Sequence, residues 1–342
     1  MALSGRSRSR RALAGLVLAL ATAAMPRCSP VAPEAQGADA WKPLGGALAA
    51  ASAPGASPVP ATPGAVETTP PAIAPPRVGA PSVIVANFDT GEILFAKGPD
   101  DRRPIASLTK IMTAMVVMET TQPTDMVRVS KLAERQEPTK LGLRRGQHMD
   151  VHDLLYALLL HSANDAAVAF AEHVSDSVSS FDDLMTQRAI GLGLTDTWFA
   201  SPSGLNDSGY SSARDVATMT RWAYNSPTFA SIVATKSYKL EMPDGKHVRL
   251  RNLNDLLFDY PGAIGVKTGY TSRSHWSLVG VAKRGDTRIM VVLLGDPGKP
   301  FRDGSRLLDW GFRVASSTAP ATSNASLRSQ PAFGLRQQER VG

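Results

Sequence analysis

Apolar residues recur at Ile111, Met112, Met115, Val116 and Met118 behind Ala106-Ser107-Leu108-Thr109-Lys110. This is close to the roughly 3.6-residue period of a buried helix face, so a helix is predicted with Ser107 in its first turn and Pro104 in the turn before it. The leucines at 154, 155, 158, 159 and 160 predict a second, mostly buried helix over 151–161, with Asp150 as its cap and Asp153 three residues on. It stops at His161-Ser162-Ala163-Asn164, and another helix begins behind Asn164 or Asp165. Helical stretches follow at 181–192 behind Ser180, 213–224 behind Ser212, 228–234 and 301–312.

Strand patterns flank these helices on both sides. Val83-Ile84-Val85 and Ile93-Leu94-Phe95 read as a hairpin turned by Asp89-Thr90-Gly91, and 238–242 with 248–251 as another around Pro243-Asp244-Gly245. A short strand is read at 126–129, and longer ones at 263–268, 276–283 and 288–294. Hairpins pair antiparallel, so the predicted class is α/β of the α+β type: an antiparallel sheet built from both ends of the folded region, flanked by helices, with an all-helical lobe in the middle.

Composition changes the picture at the ends. A basic start followed by an apolar run from Leu13 to Met25, with Ala21-Thr22-Ala23 as a small-residue cleavage site, predicts a signal peptide over 1–25 and hence an exported protein, in the periplasm or on the extracytoplasmic face of the envelope. Residues 26–80 are dominated by Ala, Pro, Gly, Ser and Thr and read as a disordered linker. The foldable domain then covers 81–314, and 315–342 reads as a disordered tail. The formal charge is +7, of which Arg6, Arg8, Arg10 and Arg11 contribute four in the leader, leaving +3 for the rest. No basic stripe with interleaved aromatics appears, so nucleic acid is not an expected partner. Cys28 is the only cysteine, which excludes an intramolecular disulfide.

The chemistry is concentrated in a few polar residues set among apolar ones. On a helix Ser107 and Lys110 are neighbours, about 5–6 Å apart at Cβ, which pairs a hydroxyl nucleophile with a possible base. A lysine titrating near its usual value of about 10.4 cannot take a serine's proton at neutral pH; lowering it enough costs about 4 kcal/mol through burial and a second cation. Lys267, on an otherwise apolar strand and followed by Thr268 and Gly269, is the candidate for that cation and for holding an anionic substrate group. Each stretch alone also has an ordinary structural reading, as a capped helix or an edge-strand charge. His148 and His152, with His161 and His173 nearby, lack an evident carboxylate or cysteine to complete a ligand set, so neither a metal nor another cofactor is expected.

Ser107-x-x-Lys110, Ser162-x-Asn164 and Lys267-Thr268-Gly269 occur in that order, and the arrangement resembles the penicillin-binding proteins and serine β-lactamases. The flanking text (Pro104 to Ala114, Ser162 to Ala167, Ser212-Ala213-Arg214-Asp215 and Lys267 to Thr271) is similar to the low-molecular-mass D-alanyl-D-alanine carboxypeptidases over roughly 81–312. The resemblance implies a β-lactamase/transpeptidase-like fold and hydrolysis of the terminal D-alanine of peptidoglycan stem peptides. It implies Ser107 as nucleophile, Lys110 as its base, Ser162 as proton relay and Asn164 as orienting group. Lys267 and Thr268, with Gly269, would bind the terminal carboxylate, and the backbone N–H groups of Ser107 and Tyr270 would form the oxyanion hole. β-Lactams would then acylate Ser107. A D-Ala–diaminopimelate endopeptidase is the alternative within the family, and a non-catalytic penicillin-sensing or wall-binding module the alternative outside it. A β-lactamase is disfavoured because no Glu-containing loop is evident to activate deacylating water. Two departures stand out. Relatives usually carry an acidic residue, Ala and Gly soon after K-T-G, where this chain has Ser272-Arg273-Ser274-His275-Trp276. The 30 or so residues after the last helix fit neither the C-terminal β-sandwich nor the amphipathic anchor of many relatives. Any membrane association is therefore expected at the N-terminus.

Overall fold

The computed structural model describes residues 73–318. The expected signal peptide, most of the linker and most of the tail lie outside the described residues.

The chain opens with strands β1 (Ser82–Asn87) and β2 (Ile93–Lys97), a hairpin whose turn includes Gly91 at φ +82°. A single 3-10 turn, Ala106–Thr109, leads directly into α1 (Lys110–Thr120). Next come β3 (Met126–Arg128), α2 (Lys131–Glu134), β4 (His148–Asp150), α3 (Val151–Leu159) and α4 (Asn164–Ser175). Then follow α5 (Val178–Gly191), α6 (Ala213–Ala223), α7 (Pro227–Ala234), β5 (Ser237–Glu241), β6 (His247–Arg251) and α8 (Leu256–Asp259). Three long strands, β7 (Ala263–Thr271), β8 (His275–Arg284) and β9 (Thr287–Asp296), precede the closing α9 (Pro300–Thr318).

The main sheet has five antiparallel strands in the order β2-β1-β9-β8-β7, so the first strand of the domain lies beside the last, with Val85 opposite Val291. Both faces of the sheet are covered, which explains why β1 and β9 are apolar runs instead of alternating ones. Val83, Val85, Leu278 and Leu293 pack with Leu307, Leu308 and Trp310 of α9. Ile84, Ala86, Val279 and Val292 face the helices, where Ile111, Met112, Met115, Leu155 and Phe170 form the larger core. α1 is buried along nearly its whole length because it runs through the middle of that core. β7 is left at the sheet edge, beside the 3-10 turn.

Several boundaries differ from those the sequence predicts. Ser107 and Lys110 straddle a 3-10 turn and the start of α1 instead of sharing one α-helical turn. α5 begins at Val178 because Ser177, not Ser180, caps it, accepting from the Ser180 amide at 3.1 Å. α2 and α8 have four residues each, too few to register a helical period, and β4 is recognisable only through its pairing with β3. At the ends, residues 73–80 are not free linker. The Trp310 indole donates to the Ile73 carbonyl at 2.8 Å, Arg306 donates to the Arg77 carbonyl at 3.1 Å, and Ala80, Ile73 and Val78 join the apolar layer under α9. α9 runs on to Thr318, beyond the 314 boundary, so the expected tail begins as helix. No described helix is long and apolar enough to cross a membrane.

Candidate active site

The site is built where the 3-10 turn, the α3–α4 corner, the 200–209 loop and the edge strand β7 meet. Ala106 has φ +47°, which redirects the chain so that Ser107 enters the turn facing β7. Lys110 is fully buried, and its Nζ lies 2.9 Å from Ser107 Oγ, 2.8 Å from Asn164 Oδ1 and 2.7 Å from the Ser203 carbonyl oxygen. The amide oxygen of Asn164 is fixed toward the lysine because its Nδ2 donates to the Glu137 carbonyl at 3.0 Å. Asn164 Oδ1 and the Ser203 carbonyl can only accept, so a neutral amine gives them its two N–H bonds. Its lone pair is then left for the one neighbour that can donate, the Ser107 hydroxyl.

The electrostatics favour that neutral form. Burial pushes the Lys110 ammonium well below its usual range, the Lys267 charge pushes in the same direction, and Asp165 opposes both. Lys267 is itself buried on β7 and donates to the Thr268 carbonyl at 3.0 Å. No carboxylate among the described residues pairs with it, and burial brings its pKa down to about 7. An anionic group arriving beside Lys267 would restore its proton, so the strand end is suited to a carboxylate.

Gly269 explains how closely the strand approaches Ser107. A Cβ there would stand 2.8 Å from the Ser107 amide nitrogen, 3.0 Å from Ala106 Cβ and 3.1 Å from the Ile105 carbonyl. Gly204 does the same from the other side, where an added Cβ would lie within bonding distance of the Ala106 carbonyl. Thr268 is buried next to Lys267, and Tyr270 is exposed beyond Gly269.

Of the residues singled out in the sequence, Ser107, Lys110 and Asn164 are joined by direct hydrogen bonds, and β7 lays Lys267, Thr268, Gly269 and Tyr270 alongside them. Ser162 sits at the α3–α4 corner with φ +61°, buried, its hydroxyl making no hydrogen bond within the described residues. The histidines do not gather. His161 is close enough to Lys267 and Asp165 to sense both, although burial is the main cause of its lowered pKa. His152 does have carboxylate neighbours, contrary to the sequence reading: Asp150 and Asp153 have ligand atoms within 4.8 Å of its own and of each other. Those acids are already used. Asp150 caps α3 by accepting from the Asp153 amide at 2.7 Å, and Asp153 takes the Tyr238 hydroxyl at 2.5 Å.

Three supporting groups were not found from the sequence. Asp165 is fully buried and accepts from the backbone N–H groups of Leu141, Gly142, Leu143 and Ala166 at 2.8–3.0 Å, pinning the loop whose Glu137 carbonyl holds Asn164. The Ser203 carbonyl is positioned because Thr113 Oγ1 donates to its neighbour Pro202 at 2.6 Å. Asp207 accepts from Thr271 Oγ1 at 2.8 Å and ties the 200–209 loop to the end of β7.

A helical lobe against an antiparallel sheet, with a serine hydroxyl and a buried lysine at their junction, defines the class of serine acyl-transfer proteins that use an amine in place of a histidine. The chain belongs to the D-alanyl-D-alanine carboxypeptidase family, whose model matches residues 69–298. It is 35% identical over 241 residues to the D-alanyl-D-alanine carboxypeptidase DacF of Bacillus subtilis, covering 68% of this chain and 62% of that protein. It is also 35% identical to DacB2 of Mycobacterium tuberculosis, covering 68% of this chain and 81% of the relative. Among solved structures, a D-alanyl-D-alanine carboxypeptidase from Mycobacterium tuberculosis superposes with a TM-score of 0.68 at 32% identity, over 72% of this chain and 96% of that one. The Streptomyces K15 DD-transpeptidase gives 0.67 at 32% identity, over 70% and 100%.

Proposed function

We propose that this protein is an exported serine D-Ala-D-Ala carboxypeptidase that trims the terminal D-alanine from peptidoglycan stem pentapeptides. The reading rests above all on the Lys110 amine, whose two acceptor-only neighbours leave its lone pair to the Ser107 hydroxyl. Ser107 Oγ attacks the carbonyl carbon of the penultimate D-alanine while its proton passes to Lys110 Nζ. The developing oxyanion is held by the backbone N–H groups of Ser107 and Tyr270, an effect worth about 3–4 kcal/mol per donor. The C–N bond then breaks, and Ser162 passes a proton from Lys110 to the leaving amine, so D-alanine departs and an ester to Ser107 remains. Asn164 keeps Lys110 in line throughout. Water attacks the ester with Lys110 as base, releasing the tetrapeptide and restoring the hydroxyl. Lys267 and Thr268, with Gly269 allowing close approach, bind the terminal carboxylate, which makes the enzyme an exopeptidase. β-Lactams, presenting a strained amide beside a carboxylate, acylate Ser107 by the same first step.

The test is D-alanine release from a synthetic stem pentapeptide, run beside cross-linked muropeptides, with a fluorescent penicillin as active-site label. Free D-alanine from the pentapeptide, and loss of both release and labelling in Ser107→Ala, is the expected result. Cleavage of cross-links without D-alanine release would instead favour the endopeptidase.

A further inference from the structure

β7 is the edge strand of the sheet, and it turns into β8 through a three-residue loop, Ser272-Arg273-Ser274, closed by the pair Thr271 and His275. Loops of this length normally place a glycine at the left-handed position that ends them. Here the left-handed residue is instead His275, the member of the closing pair on β8, at φ +53°. The tip is nevertheless rigid. Ser274 is buried, its amide donates to Thr271 Oγ1 at 2.9 Å, and its Oγ accepts from the Thr271 amide at 3.0 Å. Ser274 Oγ donates in turn to the His275 carbonyl at 2.8 Å, and Thr271 Oγ1 donates to Asp207 at 2.8 Å. Ser272, Arg273 and His275 are left exposed on this fixed support. Arg273 has no ion pair or hydrogen bond within the described residues, and Asp207, the acid bonded to the hairpin end, is already engaged by Thr271.

The position of the tip follows from the carboxypeptidase reading, on which this inference rests. With the substrate carboxylate at Lys267 and Thr268 and the scissile carbonyl between Ser107 and Tyr270, the peptide lies antiparallel along the free edge of β7 as an added strand. Strand residues advance by about 3.3 Å each, so the third residue of the stem, just before the two D-alanines, comes abreast of Thr271 to Arg273. That residue is the diamino acid. Its side chain ends in an ammonium alone when it is lysine, and in an ammonium together with a carboxylate when it is diaminopimelate.

We propose that Arg273, held by this rigid tip beside His275, selects stem peptides whose third residue ends in a free carboxylate and disfavours those ending in an ammonium alone. An unpaired guanidinium at the hairpin tip attracts the first and repels the second. The test uses the full folded domain and three pentapeptides that differ only at the third residue: meso-diaminopimelate, the same residue with its side-chain carboxylate amidated, and L-lysine. Rates of D-alanine release are normalised to sites titrated with fluorescent penicillin. Exposed charge pairs shift such preferences by up to about fivefold, and that is the expected advantage of the free carboxylate in kcat/KM. Arg273→Lys should retain the preference and Arg273→Glu should reverse it. Equal rates on all three peptides, or a preference that persists in Arg273→Glu, would overturn the assignment of Arg273 alone. Failure of the unsubstituted enzyme to release D-alanine from any of them would overturn the carboxypeptidase reading and this inference with it.

Discussion

Replacing Gly269 by alanine isolates the contact on which the site geometry depends. The new methyl would meet the Ser107 amide nitrogen at 2.8 Å and the Ile105 carbonyl at 3.1 Å, both backbone atoms that cannot rotate away. An ordinary contact is about 3.5 Å, so β7 and the 3-10 turn must separate by about 0.7 Å. Overpacking of this kind costs roughly 1–3 kcal/mol, and at about 2–4 °C per kcal/mol for a domain of this size the melting temperature should fall by several degrees. Catalysis should suffer much more. The separation pulls the Tyr270 N–H away from the Ser107 N–H, and displacements near 1 Å in a reacting geometry cost on the order of 100-fold. The assay pairs the rate of acylation by a fluorescent penicillin with thermal unfolding. A 30- to 100-fold slower acylation in a protein that melts only several degrees lower is the expected result, in line with that geometric cost. Acylation within about threefold of the parent would refute the reasoning, because the barrier would then be insensitive to the spacing of strand and turn.

Lys267→Met removes the charge that helps to lower the Lys110 pKa, so the acid limb of the acylation profile should move to higher pH. The same variant tests linkage. Burial brings the Lys267 pKa down to about 7 in the fold from 10.5 when unperturbed, so between these values the unfolded chain binds more protons and stability rises with pH; denaturant titrations at pH 7 and 9 should show a smaller rise in the variant than in the parent, the remainder coming from buried Lys110. Asp165→Asn turns one oxygen, an acceptor of two backbone N–H groups, into a donor facing them. A loss of about 2–5 kcal/mol in thermal or chemical unfolding is expected from those unsatisfied donors, and the acid limb should move to lower pH because Asp165 no longer raises the Lys110 pKa. Trp310→Ala empties a fully buried site and frees the Ile73 carbonyl, so a loss of about 3–5 kcal/mol and faster limited proteolysis within residues 73–80 should accompany it.

Periodicity along the chain was sufficient to locate the longer helices and strands, though not α2, α8 or β4, because α1, α3 and the long paired strands are chosen by local spacing of apolar side chains that the core then buries. The same holds for the three polar motifs, each confined to a few consecutive residues. What no local pattern could carry is the environment of those residues. Lys110 finds Asn164 across 54 residues and Ser203 across 93, and only that enclosure pushes its pKa below the usual lysine range. Asp165 reads in sequence as one more acid at a helix start, and becomes the anchor of the Leu141–Leu143 loop only through contacts more than 20 residues away. Residues 73–80 read as linker because their apolar partners lie on α9, over 220 residues downstream, and His275 looks unremarkable until the hairpin places it where the backbone turns left-handed. Local spacing determines which elements form, whereas burial, proton affinity and approach distance depend on groups that only the assembled chain brings together.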